Sequence, residues 1–155
     1  MHSKGYPESQ ATETWERDGV TYSIVYHEGM GQPCGYCRFA KRSVREEGYD
    51  GILAYVPVHG GITYAERDDD GSIVYGFDCA HYNSPPAPDT AWLHEQCELM
   101  ARAILAAKPY EKRYLRCVSQ KGKAKVLDEY LESIGANADE ALGFGAMINL
   151  LCGEL

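Results

Sequence analysis

The 155-residue chain is 45% hydrophobic and 25% charged, with a formal net charge of −8. That length fits one domain, and the composition excludes wholesale disorder, a collagen-like repeat and a coiled coil. Twelve tyrosines against three phenylalanines point to a half-wet core or an aromatic-lined surface, because a buried tyrosine needs a partner for its hydroxyl.

In chain order, residues 1–14 are polar, carry Gly and Pro, and read as a flexible tail. Val20 to His27 is a strand candidate, with Tyr22, Ile24 and Tyr26 alternating with smaller or more polar neighbours. A Gly/Pro loop follows, and Gly35 to Phe39 is a second strand candidate. Gly51 to His59 has a buried-strand composition, with Pro57 demoting it to an edge or a bulge. The clearest hairpin joins Ile62–Glu66 to Ser72–Cys79 through Asp68-Asp69-Asp70-Gly71. A four-residue loop pairs residues whose numbers sum to 139, and a two-residue Asp70-Gly71 turn gives 141. Either register sets His59 and Gly60 opposite the stretch from Cys79 to Tyr82.

After Pro88 the pattern turns helical. Asp89 or Thr90 is a cap, and Leu93, Cys97, Met100 and Ile104 recur at helical spacing. Pro109 is expected to stop this helix or start another carrying Tyr110, Tyr114 and Val118 on one side. Leu127, Tyr130, Leu131 and Ile134 mark a further helix ending at Gly135. Asn137 and Glu140 form a capping-box pattern opening a last helix to about Cys152. Strands first and helices afterwards predict an α+β fold: a mainly antiparallel twisted sheet of about four to five strands packed against C-terminal helices. The chain reads as a single domain, residues 1–155, with a motif-bearing body over 15–106 and a helical extension over 107–155.

The most apolar stretches, 103–107 and 146–152, fall far short of the roughly 20 residues of a membrane span. With no apolar segment of signal-peptide type at the start, a cytoplasmic protein without membrane association is expected. In that compartment the six cysteines read as free thiols, metal ligands or redox groups rather than a disulfide framework. Charge is uneven. Lys108, Lys112, Arg113, Arg116, Lys121, Lys123 and Lys125 face one acid, Glu111, so this stretch carries +6 and the remainder −14. Such a stripe can hold an anion, and Tyr110 and Tyr114 within it can stack on a base; a solvated helix face is the plainer alternative.

The strongest local signal pairs His59-Gly60-Gly61-Ile62-Thr63 with Gly76-Phe77-Asp78-Cys79-Ala80-His81-Tyr82-Asn83. Paired glycines after a strand allow close backbone approach by a ligand or a second strand. Cys34, His59, Cys79 and His81 have the donor types of a tetrahedral zinc site. Alternatively Cys79 is a nucleophile, with His59 or His81 as base and Asp78 or Asn83 as orienter. Gly60, Gly61, Thr63, Tyr82 and Asn83 would line a ligand. A polar network that only pins the end of the sheet is the remaining alternative. His27 and His94 read as surface or satisfied core residues.

These blocks, with Cys34-Gly35-Tyr36 and Tyr49-Asp50, resemble a family of small phage and prophage proteins with His-Gly-Gly-Leu-Thr and Gly-Phe-Asp-Cys-Ala-His motifs. The likeness spans roughly residues 15–106 and implies a genomic setting without a mechanism. Cys34-Gly35-Tyr36-Cys37 also resembles the active-site turn of a glutaredoxin or thioredoxin, which needs the first thiol at a helix N-terminus. The expectation is therefore an accessory protein binding a small ligand, or a metal, at the His59–His81 corner. The alternatives are an anti-defence or host-modulating binder of a nucleotide, nucleic acid or protein, and a thiol–disulfide protein using Cys34 and Cys37.

Overall fold

A two-residue turn starts the sheet. Asp18 and Gly19 take φ of 52° and 81°, the left-handed pair that matches the twist of a tight hairpin. They join β1 (Ala11–Arg17) to β2 (Val20–Tyr26). The computed structural model describes residues 11–26, 32–40, 51–79 and 88–136. Strands β3 (Pro33–Phe39), β4 (Tyr64–Arg67) and β5 (Ile73–Asp78) complete an antiparallel sheet of order β1-β2-β3-β5-β4. Helix α1 (Thr90–Arg116) packs on it, and α2 (Gln120–Ser133) packs against α1. The fold is α+β, as the order of elements predicts. The expected helix after Asn137, along with His27 and Cys152, lies outside the described residues.

Alternation along the strands sorts the two faces. Tyr22, Ile24, Cys37, Phe39, Ile73, Tyr75 and Phe77 join the core under the helices, whereas Val25, Cys34, Tyr36 and Val74 cluster on the other face. Leu93, Cys97, Met100 and Ile104 are all buried on α1, which validates the helical spacing. Asp89 caps that helix by accepting from the Trp92 amide at 2.8 Å. Val126, Tyr130 and Leu131 bury α2 against α1, and the Tyr130 hydroxyl donates to the Ala103 carbonyl at 2.6 Å. The tyrosine-rich core thus places its hydroxyls on main-chain acceptors and at margins: Tyr64 donates to Glu66 at 2.9 Å.

Five expectations change. Ala11 to Thr14, read as tail, belong to β1. Gly51–Tyr55 is a short 3-10 helix rather than a strand. Its apolar run lacks the alternation that distinguishes strand from buried helix, and Ile52 to Val56 are buried beneath α1. Pro109 does not end α1. It removes the amide aimed at the Leu105 carbonyl, and both residues lie on the exposed side of the helix, away from the core. The body–extension boundary at 106/107 therefore falls inside one continuous helix. Val118 stands outside the helix at full exposure rather than beside Tyr114.

The fifth change is the hairpin register. Tyr64↔Gly76 through Arg67↔Ile73 sum to 140, between the two expected values. Asp68 and Ser72 close the loop, with Asp68 N donating to Ser72 O at 2.8 Å and Gly71 at φ 87°. This is a three-residue loop ending in a left-handed glycine. Asp68 also sends its fully buried carboxylate to Arg38 of β3, tying the loop to the sheet. Among the described residues, no helix is long and apolar enough to cross a membrane.

Candidate functional site

The glycines of the motif blocks divide into two kinds. Gly35 and Gly76 sit on neighbouring strands, opposite Phe77 and Tyr36 respectively. A Cβ on Gly35 would meet the Phe77 ring and stand 2.7 Å from Cys97 Sγ; one on Gly76 would stand 2.6 Å from the Tyr36 ring. Each aromatic ring occupies the space over the glycine across the ladder, one pair on each face. Tyr36 is held in addition by an edge contact from Tyr64, 5.6 Å between centroids. These glycines serve packing. Gly60 and Gly61 instead have φ of 72° and 78°, a backbone that L side chains adopt at a cost. They reverse the chain just before Thr63 N donates to Gly76 O at 2.9 Å.

That reversal carries His59 away from the strand extension expected to face Cys79. Its amide donates to Gln96 Oε1 on α1 at 2.8 Å, and its ring meets Trp92 edge-on, 5.3 Å between centroids. The result is a pocket of about 520 Å³ between the Pro57–Gly60 turn, Trp92, Gln96 and Leu99 on α1, and Ile134 to Ala136 beyond α2. A volume of this order suits a small molecule. Gly135, at φ 71°, closes α2 there, and Ala136 N donates to Leu131 O at 2.9 Å. Apart from His59, the described lining holds no titratable side chain.

Cys79 is held elsewhere. Its amide donates to Pro33 O at 3.2 Å, and its side chain joins the core at 1% exposure. Burial pushes its thiol up to about 12, with Cys34 and the Asp78 carboxylate adding to the rise, and burial with Asp78 pushes that of Cys34 up to about 11. Cys97 rises to about 12, and Cys37 well above its ordinary range, again through burial. Such thiols stay protonated at neutral pH and lack the electropositive, accessible surroundings of a nucleophile. Cys34 and Cys37, three residues apart on one strand, fall into the two opposite clusters. The helix-terminal turn that the Cys-x-x-Cys pattern resembles is therefore a β-strand, and the two thiols are not brought together. Among the described residues, no three His, Cys, Asp or Glu side chains converge as metal ligands, and Cys34, His59 and Cys79 are all described. Asp78 is half-buried at the end of β5. His81, Tyr82 and Asn83 lie outside the described residues.

The basic stripe is exposed, but its tyrosines are not. Tyr114 is buried against Tyr55, with the Lys123 ammonium 5.4 Å from its ring centroid. Tyr110 packs on Tyr130, and Arg113, paired with Glu129, covers it. Neither ring can serve as the base-stacking platform that the interleaving suggested. His94 is a satisfied residue: it stacks on Trp15 at 3.7 Å, with Nε2 2.5 Å from Glu13 Oε1. A second depression of about 630 Å³ beside it is crossed by the Arg17–Glu98 ion pair at 2.6 Å.

Sequence reasoning found His59 and Gly60 but missed Trp92, Gln96 and Leu99. A signal existed: Trp92, Gln96 and Leu99 follow at helical spacing one position off the buried stripe of Leu93, Cys97 and Met100. No family model, curated protein or solved structure matches the chain.

Proposed function

We propose that the protein binds a small, uncharged, flat ligand in the pocket between the His59–Gly60 turn and α1. The observation that carries this reading is the lining itself. An indole and an imidazole stand edge to face beside a glutamine amide, and the described lining offers no fixed charge to an acid or a phosphate. Aromatic faces favour a planar, polarisable group. Gln96 spends its oxygen on the His59 amide, which leaves its nitrogen as the donor that orients a carbonyl or ring nitrogen of the ligand. The likeness of the motif blocks to small phage and prophage proteins supports an accessory role in that setting.

The test is a screen of neutral heteroaromatic compounds against the full chain, read by quenching of Trp92 fluorescence in a Trp15→Phe background and by thermal shift. A saturable ligand is expected, lost in Ala136→Phe, which fills the pocket, and weakened in Gln96→Glu, which keeps the acceptor for His59 N–H and removes the donor. Saturable binding that persists unchanged in both variants would refute the assignment, as would a screen in which no compound saturates.

A further inference from the structure

The cations between 108 and 125 occupy one end of an antiparallel helical hairpin. Contacts of Lys123 with Tyr114, Arg113 with Glu129, and Tyr130 with Ala103 align α2 back along α1. On α1, Lys108, Lys112 and Arg116 are exposed at four-residue intervals, which makes one row with about 6 Å between successive charges. Lys121 and Lys125 make a second exposed row on α2. None of these five enters an ion pair among the described residues, whereas Arg113 is paired. Glu111, the one acid in the stretch, is half-buried and already engaged.

Rows of evenly spaced cations match a polymer of repeating phosphates better than one small anion. The remainder of the chain carries −14, so a partner must touch this end and little else, as a narrow rod can. With Tyr110 and Tyr114 packed away, no aromatic platform is left here for unstacked bases. We propose that this end of the α1–α2 hairpin binds the phosphate backbone of duplex nucleic acid without reading its sequence. The surface is independent of the pocket: Gln96 and Arg116 are twenty residues apart on α1, about 30 Å along the axis.

The experiment titrates the full chain into short labelled DNA and RNA duplexes of mixed sequence, between about 50 and 200 mM salt. Five phosphate contacts predict a slope of log K against log salt near −4.5, with little dependence on sequence. Lys121→Gln/Lys125→Gln should flatten the slope by about 2, while circular dichroism and melting temperature stay unchanged. A preference for one duplex would identify the nucleic acid. Absence of binding at the lowest salt overturns the proposal, as does a slope unmoved by the double variant. Vesicles with phosphatidylserine form the last arm. Binding to them but not to duplex, abolished by Val118→Ser, also overturns it: the exposed Leu115 and Val118 would then mark a membrane-contacting tip.

Discussion

Gly35→Ala is expected to be the most damaging single-methyl change in the sheet. The added Cβ would stand 2.7 Å from Cys97 Sγ and 2.9 Å from Phe77 Cζ, with Phe77 Cε1 closer still. Non-bonded carbons rest at about 3.5–4.0 Å, so the ring and the face of α1 must retreat by roughly an ångström. Phe77 and Cys97 are 1% and 0% exposed, which leaves the ring no free volume on either side. Overpacking of this kind costs about 1–3 kcal/mol, and two rigid obstacles put the loss at the upper end. Against it stands the roughly 0.5–1 kcal/mol that alanine gains over glycine in a strand interior. A net loss of about 2 kcal/mol lowers Tm by roughly 4–8 °C for a domain of this size. Gly135→Ala is the control: a Cβ there meets nothing within 4 Å, so only its positive φ is strained, at about 1 kcal/mol. Urea denaturation of the wild type and both variants measures the order. A Gly35→Ala protein as stable as wild type would refute the argument that the Cys-Gly-Tyr and Gly-Phe-Asp-Cys blocks are packing motifs.

Asp68→Ala should cost about 3–5 kcal/mol, because it removes the carboxylate that neutralises the largely buried Arg38 guanidinium and leaves it only uncharged partners such as the Ser72 hydroxyl. Arg38→Leu/Asp68→Ala should recover part of that loss in a double-mutant cycle, and strict additivity would show that the pair is not coupled. Alkaline pH should destabilise the fold. Burial raises Cys34, Cys79 and Cys97 from 9.0 to about 11, 12 and 12, and Tyr22 from 10.0 to about 12. The folded state then keeps protons that the unfolded chain releases. Stability is fully present below the unfolded values and is lost as pH rises through the folded ones, so Tm should fall across about pH 9–12. A flat profile there would contradict the buried thiols. Pro109→Ala should stabilise by about 1–2 kcal/mol, since it restores a helix-interior amide at a site where proline is unfavourable by about 3, less the stiffness proline gives the unfolded chain. A destabilised variant would mean that the kink is needed for packing.

The fold class was legible because its signals are redundant. The stripe Leu93, Cys97, Met100 and Ile104, the Asp89 cap and the Gly135 stop all point to the helices observed. What misled was local. The Asp18-Gly19 pair is as strong a turn signal as Asp70-Gly71, yet the first four residues of β1 looked like tail, because the strand is polar and only Ala11, Glu13 and Trp15 are half-buried. Residues 52–56 carried no period at all, so composition alone suggested a strand where a 3-10 turn fills space under α1. In the β4–β5 hairpin, Asp68 is drawn into the ladder by Arg38, a partner about thirty residues upstream that no local turn rule contains. That one-residue difference reverses which face each side chain takes.

The same limit explains the site. Spacing brought His59 to Cys79 only on the assumption that β4 continues backwards as a strand. Gly60 and Gly61 end it and aim His59 at Gln96 and Trp92 instead. The residues that make the pocket come from three places, and the antiparallel pair α1 and α2 links it to the basic tip, the 27-residue α1 being the longer of the two. Such a helix spans about 40 Å and bends little except at its proline. A molecule seated on Trp92 therefore cannot carry a phosphate to Arg116. A pocket ligand and a duplex should bind without competition, each leaving the other's affinity unchanged; displacement of one by the other would mean that a single extended partner occupies both.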